Sequence, residues 1–214
     1  MSLSLYGDAL TSGVPTWVRF ADGSGIPLDV DRWLGRTDDA DDSVLRLVVG
    51  PALDVGCGPG RFCVALSLGG TPTLGIDVSG TAVRQAVTAG AAAVRADVFG
   101  AAVPRPGEWA SVLLVDGNIG IGGDPVKLLT RVHQLTAPGG QVLVETGPPG
   151  GDSGPIRARL ERHGGRRGRW FWWARLAADD LSDVARAAGL RTVAQWEVDQ
   201  RWFAKLVRST SAPG

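Results

Sequence analysis

Leu53-Asp54-Val55-Gly56-Cys57-Gly58-Pro59-Gly60-Arg61 decides the fold of this 214-residue chain. Two apolar residues, Ala52 and Leu53, precede the acid. An apolar segment, Phe62, Val64, Ala65, Leu66 and Leu68, follows the last glycine. The pattern predicts a strand, a tight turn and a helix start. Glycine tolerates positive φ and lets a ligand approach the backbone. A helix N-terminus offers unpaired N–H groups and positive potential to an anion. The loop is therefore a nucleotide or cofactor cradle. A dinucleotide fingerprint, G-x-G-x-x-G, would place its third glycine where Arg61 stands. Here that glycine is Gly60, so the spacing speaks against a dinucleotide.

Four further apolar runs repeat the pattern of a strand ending in an acid. Thr73-Leu-Gly-Ile-Asp77 ends in Asp77, near the ~20-residue offset of an acid that binds ribose hydroxyls. Ala92-Ala-Val-Arg-Ala-Asp97-Val98 brings Asp97, able to accept from an adenine amino group. Val112-Leu-Leu-Val-Asp116 and Gln141-Val-Leu-Val-Glu145 complete the set, the last introduced by Pro138-Gly139-Gly140. In an open parallel sheet these ends share one edge, and ligands bind outside that edge.

With these residues in view the chain resembles the class I, Rossmann-like S-adenosylmethionine (SAM)-dependent methyltransferases, of the small bacterial type. The resemblance rests on Asp54-x-Gly56-x-Gly58-x-Gly60, Gly75-Ile-Asp77-Val-Ser79, Ala96-Asp97-Val98 and Val115-Asp116-Gly117-Asn118, and covers most of residues 44–207. It implies a three-layer α/β sandwich with a seven-stranded, mostly parallel sheet whose strand 7 is antiparallel. It also implies SAM as cofactor. On that basis Asp54 takes the ammonium, the loop and helix start take the carboxylate, Asp77 the ribose and Asp97 the adenine. Cys57, Val78, Val98, Asp116 and Gly117 complete the cofactor set with Gly56, Gly58 and Gly60.

Composition agrees with a compact enzyme of one domain plus an insertion. Hydrophobic residues make up 44% and charged residues 21%, both ordinary values. Formal net charge is zero, so no global field favours nucleic acid or membrane. No apolar run approaches the ~20 residues of a membrane span. No secretory signal is visible, and Cys57 and Cys63 fit neither a disulfide framework nor a zinc pattern. A cytoplasmic location and the absence of a metal are expected.

Helices are legible between the strands. Ser79 caps one to Ala89. Asp124-Pro125 opens another to about Thr136, and Asp179 is expected to cap a third to Ala188. In the tail, 192–198 and 202–207 are separated by Asp199-Gln200-Arg201 alone. That is too short for a parallel crossover, so the two strands run antiparallel. Two segments are not needed by the cofactor fold. Residues 1–43 form an N-terminal lid, with Asp38 to Asp42 read as a solvated acidic loop. Residues of about 150–176, within the 44–214 domain, carry Arg and Trp at period two around His163-Gly-Gly-Arg166. They are expected to form a β-hairpin, with a helix over 156–163 as the alternative.

A sulfonium methyl is already electrophilic, so positioning the acceptor is most of the task. Asp116 is the first candidate for a base or orienting group and Glu145 the second. Trp17, Asn118, Trp170, Trp172 and Trp173 are the substrate-side candidates. Asp116-Gly-Asn118 does not reproduce the acids of the metal-dependent enzymes or the motif of nucleic-acid amino methyltransferases. The expected activity is methyl transfer to a small aromatic or apolar metabolite, by a monomer or homodimer. The alternatives are a catalytically silent SAM-binding regulator, an NAD(P)-dependent oxidoreductase and an RNA methyltransferase.

Overall fold

The computed structural model describes residues 2–209. Its N-terminal part begins with helix α1 (Leu3–Ser12), which stops at Gly13, where φ is +63°. A hairpin follows, β1 (Thr16–Phe20) and β2 (Gly25–Pro27), closed by Asp22, whose carboxylate accepts from the amide and hydroxyl of Ser24. Short helices α2 (Val30–Leu34) and α3 (Asp39–Leu45) lead into the sheet. The acidic stretch 38–42 is not the solvated loop that its charge implied. Asp38 and Asp41 form a reciprocal capping box at the start of α3, and Asp41 is fully buried. An acid satisfies the free amides of a first helical turn, and buried arginines supply its counter-charge.

The main sheet is built from β3 (Ala52–Val55), β4 (Thr73–Asp77), β5 (Ala93–Arg95), β6 (Trp109–Leu114), β7 (Thr136–Thr146), β10 (Leu190–Val198) and β11 (Arg201–Arg208). Their order is β10-β11-β7-β6-β3-β4-β5. All neighbours are parallel except β11, which runs antiparallel to both β7 and β10. The seven-stranded α/β sheet with one reversed strand is thus as expected. Helices α4 (Arg61–Leu68), α5 (Gly80–Thr88), α6 (Pro125–Leu135) and α7 (Leu181–Ala187) make the crossovers. Val112, Leu114, Val142 and Val144 meet Leu128, Leu129 and Val132 of α6 on one face. The alternating Leu113 and Leu143 meet Phe62 and Leu66 of α4 on the other. Both faces are covered, which is why these strands read as continuous apolar runs.

Two boundaries differ. Strand β7 starts at Thr136, so Pro138-Gly139-Gly140 lies inside it, at an irregularity in its register with β6. Asp180, not Asp179, stands at the start of α7; the Asp179 carboxylate instead accepts from the Gly150 amide at 2.9 Å.

A second, four-stranded antiparallel sheet has the order β2-β1-β8-β9, with β8 (Gly154–Arg162) and β9 (Phe171–Arg175) forming the hairpin of the insertion. Strand β1 pairs with β8 over five residue pairs, from Thr16↔Arg162 to Phe20↔Ala158. The two segments left over by the sequence reading are therefore one structure. Its inner face is sealed by Ala158 and Leu160, both buried, while Arg157, Arg159 and Glu161 alternate outward.

Candidate active site

Three glycines shape the loop after β3: Gly56, Gly58 and Gly60 have φ of +74°, +55° and +93°. The amides of Gly56 and Cys57 both donate to the Ile76 carbonyl, at 2.8 and 3.0 Å. Asp77 reinforces the turn, its Oδ2 accepting from the Gly58 amide at 3.1 Å and its Oδ1 from the Ser79 amide at 2.7 Å. Asn118 closes it from above, donating to the carbonyls of Val55 (2.9 Å) and Gly56 (3.1 Å). A Cβ at Gly56 would sit 2.8 Å from the Asn118 amide, so side chain and loop are fitted to each other.

Asp54 is the penultimate residue of β3, beneath this loop, and is 2% exposed. Its Oδ2 accepts from the Cys63 thiol at 3.4 Å, and its Oδ1 has no partner among the described residues. Burial raises its carboxyl from 3.8 to about 7. An orphaned buried carboxylate oxygen is costly unless a ligand completes it, and a cationic group is the natural complement. Asp77 is also raised by burial, an effect that its backbone N–H donors oppose.

These groups border a cavity of about 610 Å³ between the rim of the main sheet and the inner face of the small one. Every sequence-predicted residue lines it except Gly60, Trp17 and Trp170. Gly60 serves packing instead: a Cβ there would lie 2.8 Å from that of Ala86 on α5. Trp17 and Trp170 lie on the outward side of the small sheet, beneath the guanidinium groups of Arg19 and Arg159 at 4.8 and 4.6 Å. Trp172 touches the cavity, but its ring also packs under Arg157 on that outward side. Trp173 faces inward, edge-on to Phe171 with centroids 6.1 Å apart. His163, at the hairpin tip, is exposed and does not line the cavity.

Several lining residues carry no motif. Tyr6 of α1 places its hydroxyl over Gly58 and meets Trp33 edge-on, at 6.2 Å between centroids. Their only sequence signal is aromatic character in a segment the main sheet does not need. Arg61 stood out only as the residue replacing a glycine. In the structure it donates to both oxygens of Asp116, at 2.9 and 2.8 Å, and pairs with Asp41. Arg201, at the start of β11, grips Glu145 with two bonds of 2.8 Å and Asp41 with another of 2.8 Å. Arg32 lies 3.3 Å from Asp41 and 3.5 Å from Asp116. Asp116 itself has a φ of +54°, and its amide donates to Glu145 at 2.6 Å. The two catalytic candidates are brought together, but each is engaged by arginine. Carboxylates so engaged are fixed in place and can orient their neighbours.

The model of a family described as "Methyltransferase domain" matches residues 33–195. The chain belongs to this methyltransferase family. No curated protein matches it in sequence. Solved structures of methyltransferases share the fold. A SAM-dependent methyltransferase from Bacteroides fragilis, in complex with S-adenosyl-L-homocysteine, is 19% identical, with a TM-score of 0.78 over 97% of this chain and 94% of its own. An amino pentose methyltransferase from Micromonospora echinaspora, bound to SAM, gives 18%, 0.58, 84% and 94%. A Burkholderia thailandensis 1,6-didemethyltoxoflavin-N1-methyltransferase gives 16%, 0.57, 80% and 79%. In this methyltransferase the glycine bend and the acids of β3 and β4 lie at the C-terminal edge of the sheet, where an open parallel sheet holds its ligand.

Proposed function

We propose that this methyltransferase uses SAM to methylate a small metabolite with an aromatic or apolar body. The observation that carries the reading is the unpartnered Asp54 Oδ1, buried beside the glycine bend and within the same cavity as Asp77 and Asp97. The residues fit the cofactor. Asp54 would hold its ammonium, the amides at the start of α4 its carboxylate, Asp77 its ribose and Asp97 its adenine, with Cys57, Val78, Val98 and Gly117 as walls. When bound, the cofactor supplies an activated methyl group. The chain's own residues do the rest. The N-terminal segment acts as a lid, its Val18 and Phe20 joining Phe171 and Trp173 to exclude water and orient the acceptor. Asp116 and Glu145, fixed by Arg61 and Arg201, keep the floor of the site in register.

Relatives of the same fold act on 1,6-didemethyltoxoflavin and on an amino pentose, which supports a small-molecule acceptor. Two free cysteines and the lack of a long apolar helix among the described residues suit a cytoplasmic bacterial enzyme. Isothermal titration calorimetry tests the reading. S-adenosylhomocysteine should bind and NAD should not, and labelled methyl transfer from SAM to a metabolite extract should follow. Asp77→Ala should weaken binding by about 1–3 kcal/mol, the loss expected for charge-assisted hydrogen bonds. An unchanged affinity in the folded variant would remove Asp77 from the site.

A further inference from the structure

We infer that the methyl acceptor is an amine that arrives protonated on an apolar or aromatic body, an inference that rests on the methyltransferase reading above. Six carboxylates border the cavity, Asp29, Asp54, Asp77, Asp97, Asp116 and Glu145, against two arginines, Arg32 and Arg61; with Asp54, Asp77 and Asp97 given to the cofactor and Asp116 and Glu145 held by arginine, Asp29 is the one left for the acceptor. Neither arginine is free to receive an anion. Arg32 is shared between Asp41 and Asp116, and Arg61 between Asp41 and Asp116. With Arg201 the cluster sets three arginines against Asp38, Asp41, Asp116 and Glu145, so it is itself anionic. A carboxylate or phosphate on the acceptor would find no uncommitted cation in the cavity wall among the described residues, and a buried unpaired charge is costly. A cation enters the same field favourably.

A second observation points the same way. Tyr6 is 8% exposed, borders the cavity and makes no side-chain hydrogen bond among the described residues. Burial, followed by the charge of Asp77, holds its phenol well above 10, so it stays neutral and can accept an N–H. Phe20, Trp33, Phe171 and Trp173 give the cavity aromatic faces, which attract an ammonium. Asp29, at the head of α2, is exposed, uses its side chain in no hydrogen bond or ion pair among the described residues and borders the cavity. It supplies the counter-charge.

The chemistry balances. The ammonium first loses one proton to solvent. The freed nitrogen lone pair then forms the N–C bond, while the C–S electron pair stays on sulfur. A singly charged ammonium and a singly charged cofactor give a methylated ammonium, a neutral thioether and that one proton.

The test is a charge series on one shape. The full chain is first saturated with S-adenosylhomocysteine. It is then titrated with 2-phenylethylamine, 2-phenylethanol and 3-phenylpropionate, with tryptophan fluorescence and calorimetry as readouts. The amine should bind about tenfold tighter than the alcohol, or ~1.4 kcal/mol, and the acid should bind least. Asp29→Asn should remove most of the amine's advantage and leave the alcohol unchanged. Equal binding of amine and alcohol, tighter binding of the acid, or no binding of the amine at millimolar dose overturns the inference alone. Failure of S-adenosylhomocysteine to bind overturns the cofactor reading with it.

Discussion

Asp54, proposed to hold the cofactor's ammonium, would couple stability to ligand binding. Its carboxyl titrates near 7 in the folded chain because it is buried, and near 4 when unfolded. Between those values the native state holds a proton that the unfolded state has lost. Stability therefore falls as pH rises from about 4 to about 7 and then levels, by roughly 4 kcal/mol at most from this group. Urea denaturation of the apo chain should show that slope, and Asp54→Asn should flatten it; a wild-type profile that rises through this window would refute the assignment. Binding should show the opposite trend. An ammonium needs the carboxylate, so affinity for S-adenosylhomocysteine should rise up to tenfold per unit below pH 7. Calorimetry in buffers of different ionisation enthalpy should then detect proton release. At Gly60 the constraint is steric. With φ at +93° and Ala86 at 2.8 Å from a new Cβ, Gly60→Ala should cost about 1–3 kcal/mol in a thermal melt. A loss below half a kcal/mol would show that α4 and α5 can move apart there.

At the scale of elements, the central strands β3, β6 and β7 were legible because each carries a buried apolar run close to an acid, whereas β5, at the sheet edge, is short and partly exposed. Asp54, Asp77 and Asp97 were legible from their place beside the apolar runs. The small sheet was only half legible. Period-two alternation in 156–161 and 170–175 suggested a hairpin without saying which face turns inward, and nothing local says that β8 pairs with β1, some 140 residues earlier. Backbone pairing carries no residue code, so the N-terminal segment and the insertion looked unrelated. Trp17 and Trp170 were assigned to the pocket for want of that register, which turns both outward. The joint makes Leu160 a sensitive position, since it packs at 2% exposure against Leu5, Tyr6 and Leu10 of α1. Leu160→Ala should cost about 2–5 kcal/mol. Amides of β1 should exchange faster in this variant while those of β3 stay protected. Uniform acceleration across both sheets would mean that they unfold as one unit.

For the whole molecule the decisive feature is the ionic cluster, which no local pattern announces. Its members stand at 32, 38, 41, 61, 116, 145 and 201, and come from α2, α3, α4, the loop after β6, and the strands β7 and β11. Asp41 lies at its centre, with no exposed side-chain surface, paired to Arg32, Arg61 and Arg201. It therefore ties the N-terminal segment to the main sheet just under the cavity floor. Buried pairs are costly to desolvate, so the cluster's net contribution to stability is modest, whereas breaking it from one side leaves arginine charges uncompensated. Asp41→Asn should accordingly lose about 3–5 kcal/mol in urea denaturation. Adding Arg61→Gln removes one of the stranded charges, so the double variant should be less destabilised than the sum of its single changes, by 0.5–3 kcal/mol, a range common for contacting residues. Strict additivity would mean that Asp41 and Arg61 do not sense each other, and that the N-terminal segment is held by its apolar face alone.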